Sequence, residues 1–218
     1  QLTMISSILQ AVQLEAGELV VEEQAVGLGD LFNELKLHYD IPSGKEITLI
    51  WDYPVDLPVI NSDGDKLKHI LKNLINNAIK FTSRGSVTIS AGIIEGSRQK
   101  AESSQQEGKG LPTANCLLPT EQGYVEIKVT DTGGGIPEEA LPVIFERFRQ
   151  VDSSETRKYG GVGIGLYIVK KFTELLGGEV AVESEVGKGS TFTVTIPCES
   201  QQAERERRGN SLAGSAGI

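Results

Sequence analysis

Cysteine, long apolar runs and excess positive charge are scarce in this sequence. Only two cysteines occur in 218 residues, Cys116 and Cys198; this is too few for a disulfide framework and favours a reducing, cytoplasmic compartment. No apolar run approaches the roughly 18 residues that span a bilayer, and no signal peptide opens the chain. Acidic residues outnumber basic ones 30 to 21, a net charge of −9. Nucleic acid and anionic lipid are therefore poor partners, whereas a small anion such as a nucleotide is not excluded.

The composition is that of a folded protein. Apolar residues make up 39% and charged residues 23%, enough for a buried core. At about 150 residues per domain, the length predicts one domain with an appendage, or at most two small domains. We expect a helix in residues 1–17, the domain in 18–199 and an unstructured tail or linker in 200–218. Because the chain opens inside an apolar-periodic stretch, we expect it to be a fragment of a longer protein.

Hydrophobic periodicity and turn residues predict the elements of the domain. Helices are predicted over residues 2–16, 28–37, 65–81 and 166–176. Strands are predicted over residues 18–26, 46–51, 86–94, 124–130, 179–183 and 191–196. Residues 96–123 are rich in Ser, Gln, Glu and Gly and lack periodicity, which predicts a mobile insertion off the main fold. Together these elements predict an α+β sandwich, one mixed sheet with helices on one face.

The predicted helix Asp65–Phe81 has an unusual polar face. Asn73 and Asn77 are i, i+4 neighbours, and Lys80 follows one turn later. Asparagine is a mediocre helix former, so a solvated face would normally carry Glu, Lys or Arg instead. Amide oxygens suit a hard cation such as Mg²⁺, and a lysine suits the phosphates that accompany it. An ordinary polar helix face is the alternative interpretation.

Two glycine-rich segments add to this pattern. Asp131-Thr-Gly133-Gly-Gly135 follows a predicted strand, where a carboxylate can accept from an exocyclic amine while glycines admit a flat base; a plain turn is the alternative. Gly160-Gly-Val-Gly163-Ile-Gly165 opens into a helix, and its backbone N–H groups suit a triphosphate. It has neither the Gly-Lys-Ser/Thr ending of a phosphate loop nor a preceding strand.

Five ordered motifs resemble the N, G1, F, G2 and G3 boxes of sensor histidine kinases. They are Asn73-Leu-Ile-Asn-Asn77-Ala-Ile-Lys80-Phe81-Thr82, Asp131-Thr-Gly-Gly-Gly135, Phe145-Glu-Arg-Phe148, Gly160-Gly-Val-Gly163-Ile-Gly165-Leu and Gly187-Lys-Gly189-Ser-Thr191-Phe. The resemblance covers about residues 18–197 and implies the Bergerat ATP-binding fold. It also implies that the N-terminal helix is the end of the dimerisation and phosphotransfer hairpin, although the apolar pattern of residues 2–16 alone is equally typical of an ordinary surface helix.

The resemblance implies a role for each matched residue toward Mg-ATP. Asn77, assisted by Asn73, would coordinate Mg²⁺; Lys80 would contact phosphate; Phe81 would pack on adenine; and Asp131 would accept from the adenine amine. Gly133 and Gly135 would admit the base, and Thr191 would lie near it, through water. The remaining residues expected at the nucleotide are Ile136, Gly161, Val162, Gly163, Ile164, Gly165 and Leu166.

A lid over about residues 137–161 is also implied. Phe145 and Phe148 would anchor it, with simple core packing as the alternative. Arg149, Arg157 and Lys158 are candidates to reach the γ-phosphate, with solvated surface charge as the alternative.

Two departures from related proteins bear on the activity. The self-sufficient ATPases of this superfamily carry a glutamate base four residues before the metal-binding asparagine, whereas this chain has Asn73, and an amide cannot take a proton near neutral pH. The family's acceptor histidine lies in an acidic-flanked helical motif, and neither His38 nor His69 has that setting. We therefore expect the acceptor to lie upstream of Gln1.

The expected function is transfer of the ATP γ-phosphoryl group to a histidine of the hairpin, and from there to an aspartate of a response regulator. The hairpin would also form a homodimer, in the cytoplasm, whether or not the parent protein is anchored to a membrane. A serine kinase of the anti-sigma type on the same fold and an ATP-sensing module without transfer are the alternatives. Residues 2–16 argue against the first, because such kinases lack a helical hairpin.

Overall fold

A computed structural model of the protein describes residues 2–17, 19–39, 41–42, 44–94, 123–149 and 163–198. The α-helices are α1 (Leu2–Glu15), α2 (Leu28–His38), α3 (Gly64–Phe81) and α4 (Gly165–Leu175). The strands are β1 (Gln24–Gly27), β2 (Glu46–Asp52), β3 (Val59–Ser62), β4 (Arg84–Ile94), β5 (Gly123–Asp131), β6 (Glu179–Glu185) and β7 (Gly189–Cys198).

The main sheet has five strands in the order β2-β4-β5-β7-β6, and β1 pairs with β3 in a separate two-stranded sheet. Strands β2 and β4 are parallel and are connected through α3, whereas the other neighbours in the main sheet are antiparallel. Alternate residues of β5 and β7 share one hydrophobic core with α2, α3 and α4. The predicted α+β architecture with a mixed sheet is confirmed.

Helix α1 joins this core through α4. Its Ala11 is buried, and Glu15 at its end forms an ion pair with Arg147. The opposite side of α1 leaves Leu9 57% and Val12 56% exposed. One face of α1 therefore lies against the domain, and a second apolar stripe faces outward.

The predicted strand over residues 18–26 is wrong in its extent. Among the residues of this stretch that the structure describes, only Gln24–Gly27 forms a strand, because the preceding backbone bonds to side chains near the start of α3. Glu22 N donates to Asp63 Oδ2 at 3.0 Å, and Lys66 Nζ donates to the Val20 carbonyl at 2.8 Å. These contacts replace a strand ladder.

The sequence patterns predict no strand at Asn61 and Ser62. In the structure both belong to β3, where Ser62 is buried on the same side as Ile60. A serine at an inward position conceals the alternation that identifies a strand. A 3₁₀ turn over Glu138–Val143 also lies inside the predicted lid.

The predicted insertion at 96–123 (apart from Gly123), the tail at 200–218 and the second half of the lid lie outside the described residues. Among the helices that the structure describes, none has both the length and the hydropathy needed to cross a membrane.

Candidate functional site

Helix α3 presents the asparagine face of the candidate site. Its N-cap is Asp63, whose Oδ1 accepts from Lys66 N at 3.0 Å. One stripe of the helix is fully buried against the sheet and α4, comprising Leu67, Ile70, Leu71, Leu74 and Ile75. Asn73, Asn77 and Lys80 lie outside that stripe and are half-buried. Packing of the apolar stripe therefore fixes the direction in which the polar residues point.

Asn73 connects α3 to the start of α4. Its Nδ2 donates to the His69 carbonyl at 2.9 Å, so its Oδ1 points away from its own helix. That oxygen lies 2.9 Å from the place that a Cβ atom would occupy on Gly165. The structure thus brings the first asparagine of the N motif against the glycine that begins α4.

The glycine-rich segment before α4 is attached to the preceding turn. Gly163 has a φ of +70°, and its carbonyl accepts from Phe148 N at 3.0 Å. Ile164 is buried in the core and Leu166 packs against it, so any contact of Ile164 with a nucleotide would be through its backbone. Gly161 and Val162 lie outside the described residues.

Asp131 is a buried carboxylate at the end of β5. It is 6% exposed, and its Oδ1 accepts from Gly133 N at 2.8 Å. Burial raises the pKa of Asp131, while hydrogen bonds from the Gly133 and Ser190 backbones act in the opposite direction. Gly133 packs on the Phe81 carbonyl so closely that a Cβ atom would overlap with it. The strand-end carboxylate and the end of α3 are therefore adjacent.

The glycine turn after Asp131 rests on the turn between β6 and β7. Gly135 has a φ of +71° and leaves no room for a Cβ atom beside the Glu185 carbonyl. Ile136 N donates to Ser184 Oγ at 2.8 Å, and Gly187 N donates to the Gly134 carbonyl at 2.8 Å. Glycine is required here by both conformation and close approach.

The structure does not place the Thr191 side chain beside Asp131. In the antiparallel register Asp131 is opposite Ser190 and Thr130 is opposite Thr191, and the two threonine hydroxyls lie 3.1 Å apart. Strand alternation places this pair on the sheet face opposite Asp131.

Two serines near Asp131 were not identified from the sequence. They are Ser190, beside the carboxylate, and Ser184, whose Oγ lies 2.9 Å from Ser190 Oγ. Because side chains alternate along a strand, Ser190 faces the same side of β7 as the buried Phe192, and this alternation could have identified it from the sequence.

Lys80 and Phe81 end α3 as a pair. The Lys80 ammonium lies 4.8 Å from the centre of the Phe81 ring, a cation–π distance. Burial lowers the pKa of Lys80. A partly desolvated cation beside an aromatic ring suits an anionic ligand that also carries a flat base.

The two phenylalanines of the F motif differ in environment. Phe145 packs edge-on against Phe192 with ring centres 6.4 Å apart, which anchors the start of the predicted lid to the core. Phe148 is 63% exposed and has a φ of +60°. Arg149 donates to Glu146 at 3.0 Å on the surface, and Arg157 and Lys158 lie outside the described residues.

The donor set fits a metal that arrives with its phosphates. Across the residues that the structure describes, no group of three or more His, Cys, Asp or Glu side chains could hold a metal ion. The half-buried amide of Asn77, with Asn73 one turn before it, offers hard oxygen donors. Mg²⁺ commonly takes one or two protein ligands and completes its shell with phosphate and water.

Neither histidine side chain belongs to this site. His38 ends α2 on the surface, with Nδ1 2.7 Å from the Glu34 carbonyl. His69 packs edge-on against Phe172 at 5.5 Å, and burial together with the nearby Lys72 lowers its pKa. Both positions have a structural explanation.

Comparison with known proteins gives a consistent result. The family model described as "Histidine kinase-, DNA gyrase B-, and HSP90-like ATPase" matches residues 62–200. The autoinducer 2 sensor kinase/phosphatase LuxQ of Vibrio vulnificus is 34% identical over 94% of this chain and 22% of its own length. Histidine kinase 5 of Arabidopsis thaliana is 34% identical over 90% of this chain and 21% of its own length. The chain therefore spans about a fifth of these relatives.

Solved structures share the fold. Full-length ShkA in complex with AMPPNP matches with a TM-score of 0.71 and 28% identity, over 91% of this chain and 36% of that one. The catalytic domain of the histidine kinase ThkA matches with a TM-score of 0.58 over 82% of this chain and 97% of that one; at 22% identity it shows the fold alone.

Proposed function

Because this chain belongs to the histidine kinase-, DNA gyrase B-, and HSP90-like ATPase family, we propose that it is the ATP-binding catalytic part of a two-component sensor histidine kinase. The observation that carries this proposal is the Asn73 amide at the junction of α3 and α4. An amide there can hold a ligand but cannot deprotonate water. Phosphate would therefore pass to a protein nucleophile.

Mg-ATP would bind between the end of α3 and the start of α4. Asp131 would accept from the adenine amine, with Phe81 against the base and Gly133 leaving space for it. The phosphates would lie toward Lys80 and the backbone of residues 161–166, where the N-terminus of α4 favours negative charge. Thr191 would act only indirectly, because its hydroxyl bonds to Thr130.

Catalysis by this chain would consist of binding, orientation and charge neutralisation. Mg²⁺, held by Asn77 with Asn73, would supply charge neutralisation at the phosphates. A histidine nitrogen of the hairpin would attack the γ-phosphorus in line, so that a P–N bond forms and the bond to the bridging oxygen of ADP breaks. Lys80 would orient the phosphates and offset the negative charge of the leaving group.

The proposal extends to partners and location. Helix α1 would belong to the hairpin, and the hairpin would form a homodimer. The exposed apolar residues Leu9 and Val12 of α1 would lie in the dimer interface. The phosphoryl group would pass to an aspartate of a response-regulator receiver domain. The chain would work in the cytoplasm, where ATP is available.

Transfer to an added acceptor tests the proposal. The chain is incubated with γ-labelled Mg-ATP and a helical hairpin that carries an acceptor histidine. We expect label on the hairpin that is lost in acid and kept in base, as a phosphoramidate requires. The matched variants are Asp131→Asn, which should strongly reduce labelling at an ATP concentration near the Kd of the unchanged chain, and Asp56→Asn, the same change on an exposed turn, which should not.

Other outcomes separate the alternatives. Label that survives mild acid would indicate a serine kinase. Tight ATP binding without label on any supplied hairpin would indicate a nucleotide-sensing module.

A further inference from the structure

Lys45 lies just before β2 and reaches the C-terminal end of α3. Its Nζ donates to the main-chain carbonyls of Ile79, Lys80 and Thr82, the latter two at 2.9 Å. The last carbonyls of a helix have no partner within the helix. A lysine that binds several of them fixes the helix end and offsets the negative pole of its dipole.

The helix end that Lys45 holds carries two of the residues expected to contact the nucleotide. Lys80 and Phe81 are the last two residues of α3, and Lys45 binds the carbonyls of residues on both sides of Phe81. The Phe81 carbonyl itself packs against Gly133 in the Asp131 turn. Of the four consecutive carbonyls of residues 79–82, three thus accept hydrogen bonds from Lys45, and the fourth, that of Phe81, packs against Gly133.

We propose that Lys45 is a positioning residue for nucleotide binding, which sets the place of Lys80 and Phe81 by holding the end of α3. This assignment rests on the proposed function. Lys45 acts through the backbone, so its loss would let the last turn of α3 fray and both side chains would lose their fixed position.

A second feature connects Lys45 to the main sheet. Glu46 N donates to the Ser83 carbonyl at 3.2 Å, and Glu46 then pairs with Arg84 at the start of the parallel β2–β4 ladder. The backbone of Lys45 is therefore fixed by the strand that follows it, so its side chain extends to α3 from a rigid element.

The test compares ATP affinity, measured by calorimetry, with thermal stability in the unchanged chain and in Lys45→Met. We expect the Kd for ATP to rise about tenfold, the lower end of the range for one charged hydrogen bond. Lys36→Met is the matched control, because Lys36 lies in the last turn of α2 and is exposed. That variant should leave the Kd within about twofold, whereas Lys45→Arg should recover part of the lost affinity.

A double-mutant cycle separates positioning from general stabilisation. If Lys45 acts through Lys80, the losses in Lys45→Met and Lys80→Met should be less than additive. Full additivity, or unchanged affinity in Lys45→Met, would overturn the assignment while leaving the proposed function intact. Failure of the unchanged chain to bind ATP would overturn both. If Lys45→Met does not fold, Lys45→Gln replaces it in both arms, and an unchanged Kd there overturns the assignment.

Discussion

The side-chain oxygen of Asn73 lies 2.9 Å from the position of a Cβ atom on Gly165, so two helices meet at one amide and one glycine. Helix α3 supplies the asparagine and α4 begins at the glycine. The amide is oriented by its bond to the His69 carbonyl. The glycine is therefore explained by close approach, since its φ does not require glycine.

Gly165→Ala should move α4 away from α3 and weaken ATP binding. The added methyl group meets Asn73 Oδ1, which cannot easily turn away because Nδ2 of the same amide donates to the His69 carbonyl. Overpacking of this kind costs about 1–3 kcal/mol. Thermal unfolding and ATP titration should both show the loss. Gly29→Ala is the control: Gly29 lies in α2 with no atom within 4 Å of an added Cβ, and a gain of up to about 1 kcal/mol is expected there. Equal changes in unfolding temperature and in the Kd for ATP in the two variants would contradict the close contact between Gly165 and Asn73.

Asp131→Asn should reduce ATP affinity while the fold persists. Loss of one charged hydrogen bond costs about 1.5–3 kcal/mol, which corresponds to roughly 10- to 150-fold in Kd. Calorimetry gives the Kd, and circular dichroism checks the fold. Asp56→Asn should not change the affinity. An unchanged Kd in Asp131→Asn would remove this carboxylate from the adenine site.

Lys80 should give opposite pH responses in binding and in stability. Its pKa is lowered by burial, so above that pKa the folded chain loses the charge that phosphate requires, and ATP affinity should fall as pH rises through it. The unfolded chain keeps its proton to higher pH, so this residue's contribution to folding stability should rise with pH in the same window. Both effects should disappear in Lys80→Met and persist in Lys72→Met, an exposed lysine on the same helix.

Replacing residues 95–123 with Asn-Gly should leave ATP affinity within about twofold. Ile94 is opposite Tyr124 in the β4–β5 ladder, so a two-residue hairpin fits the register. Tyr124 is seven residues from Asp131 along β5, roughly 24 Å at strand spacing, and loop length itself has a shallow entropic cost. A tenfold loss in an ATP titration would show that the replaced segment contributes to the site.

Much of the fold could be predicted from sequence because local patterns and core packing agree. Helix α3 is an example: a turn and N-cap precede an unbroken apolar stripe, and its predicted end at Phe81 is confirmed. β1 and β3 could not be bounded this way. The start of β1 depends on Asp63 and Lys66, which bond to backbone about forty residues earlier. The alternation of β3 is concealed by Ser62 at an inward position.

The candidate site followed from motifs, but its contacts did not. Asn73 and Gly165 are 92 positions apart in the sequence, and nothing local indicates that they touch. Lys45 belongs to no motif, and its role depends on the tertiary placement of the loop before β2. Ser190 could have been assigned by strand parity, because Asp131 and Ser190 are cross-strand partners.

Asn73→Glu tests whether the missing base is what separates this chain from a hydrolase. The unchanged chain should bind Mg-ATP, hydrolyse it very slowly and transfer phosphate only when an acceptor hairpin is added. A glutamate at this position would supply a carboxylate base, so hydrolysis should rise while transfer falls. The gain should be small, because Gly165 leaves little room for a longer side chain and a new negative charge near the phosphates weakens binding. The measurement is ADP release with and without the hairpin, and Asn76→Glu on the exposed side of α3 is the control. Rapid ADP release by the unchanged chain alone would contradict the kinase assignment, since it requires a base other than Asn73.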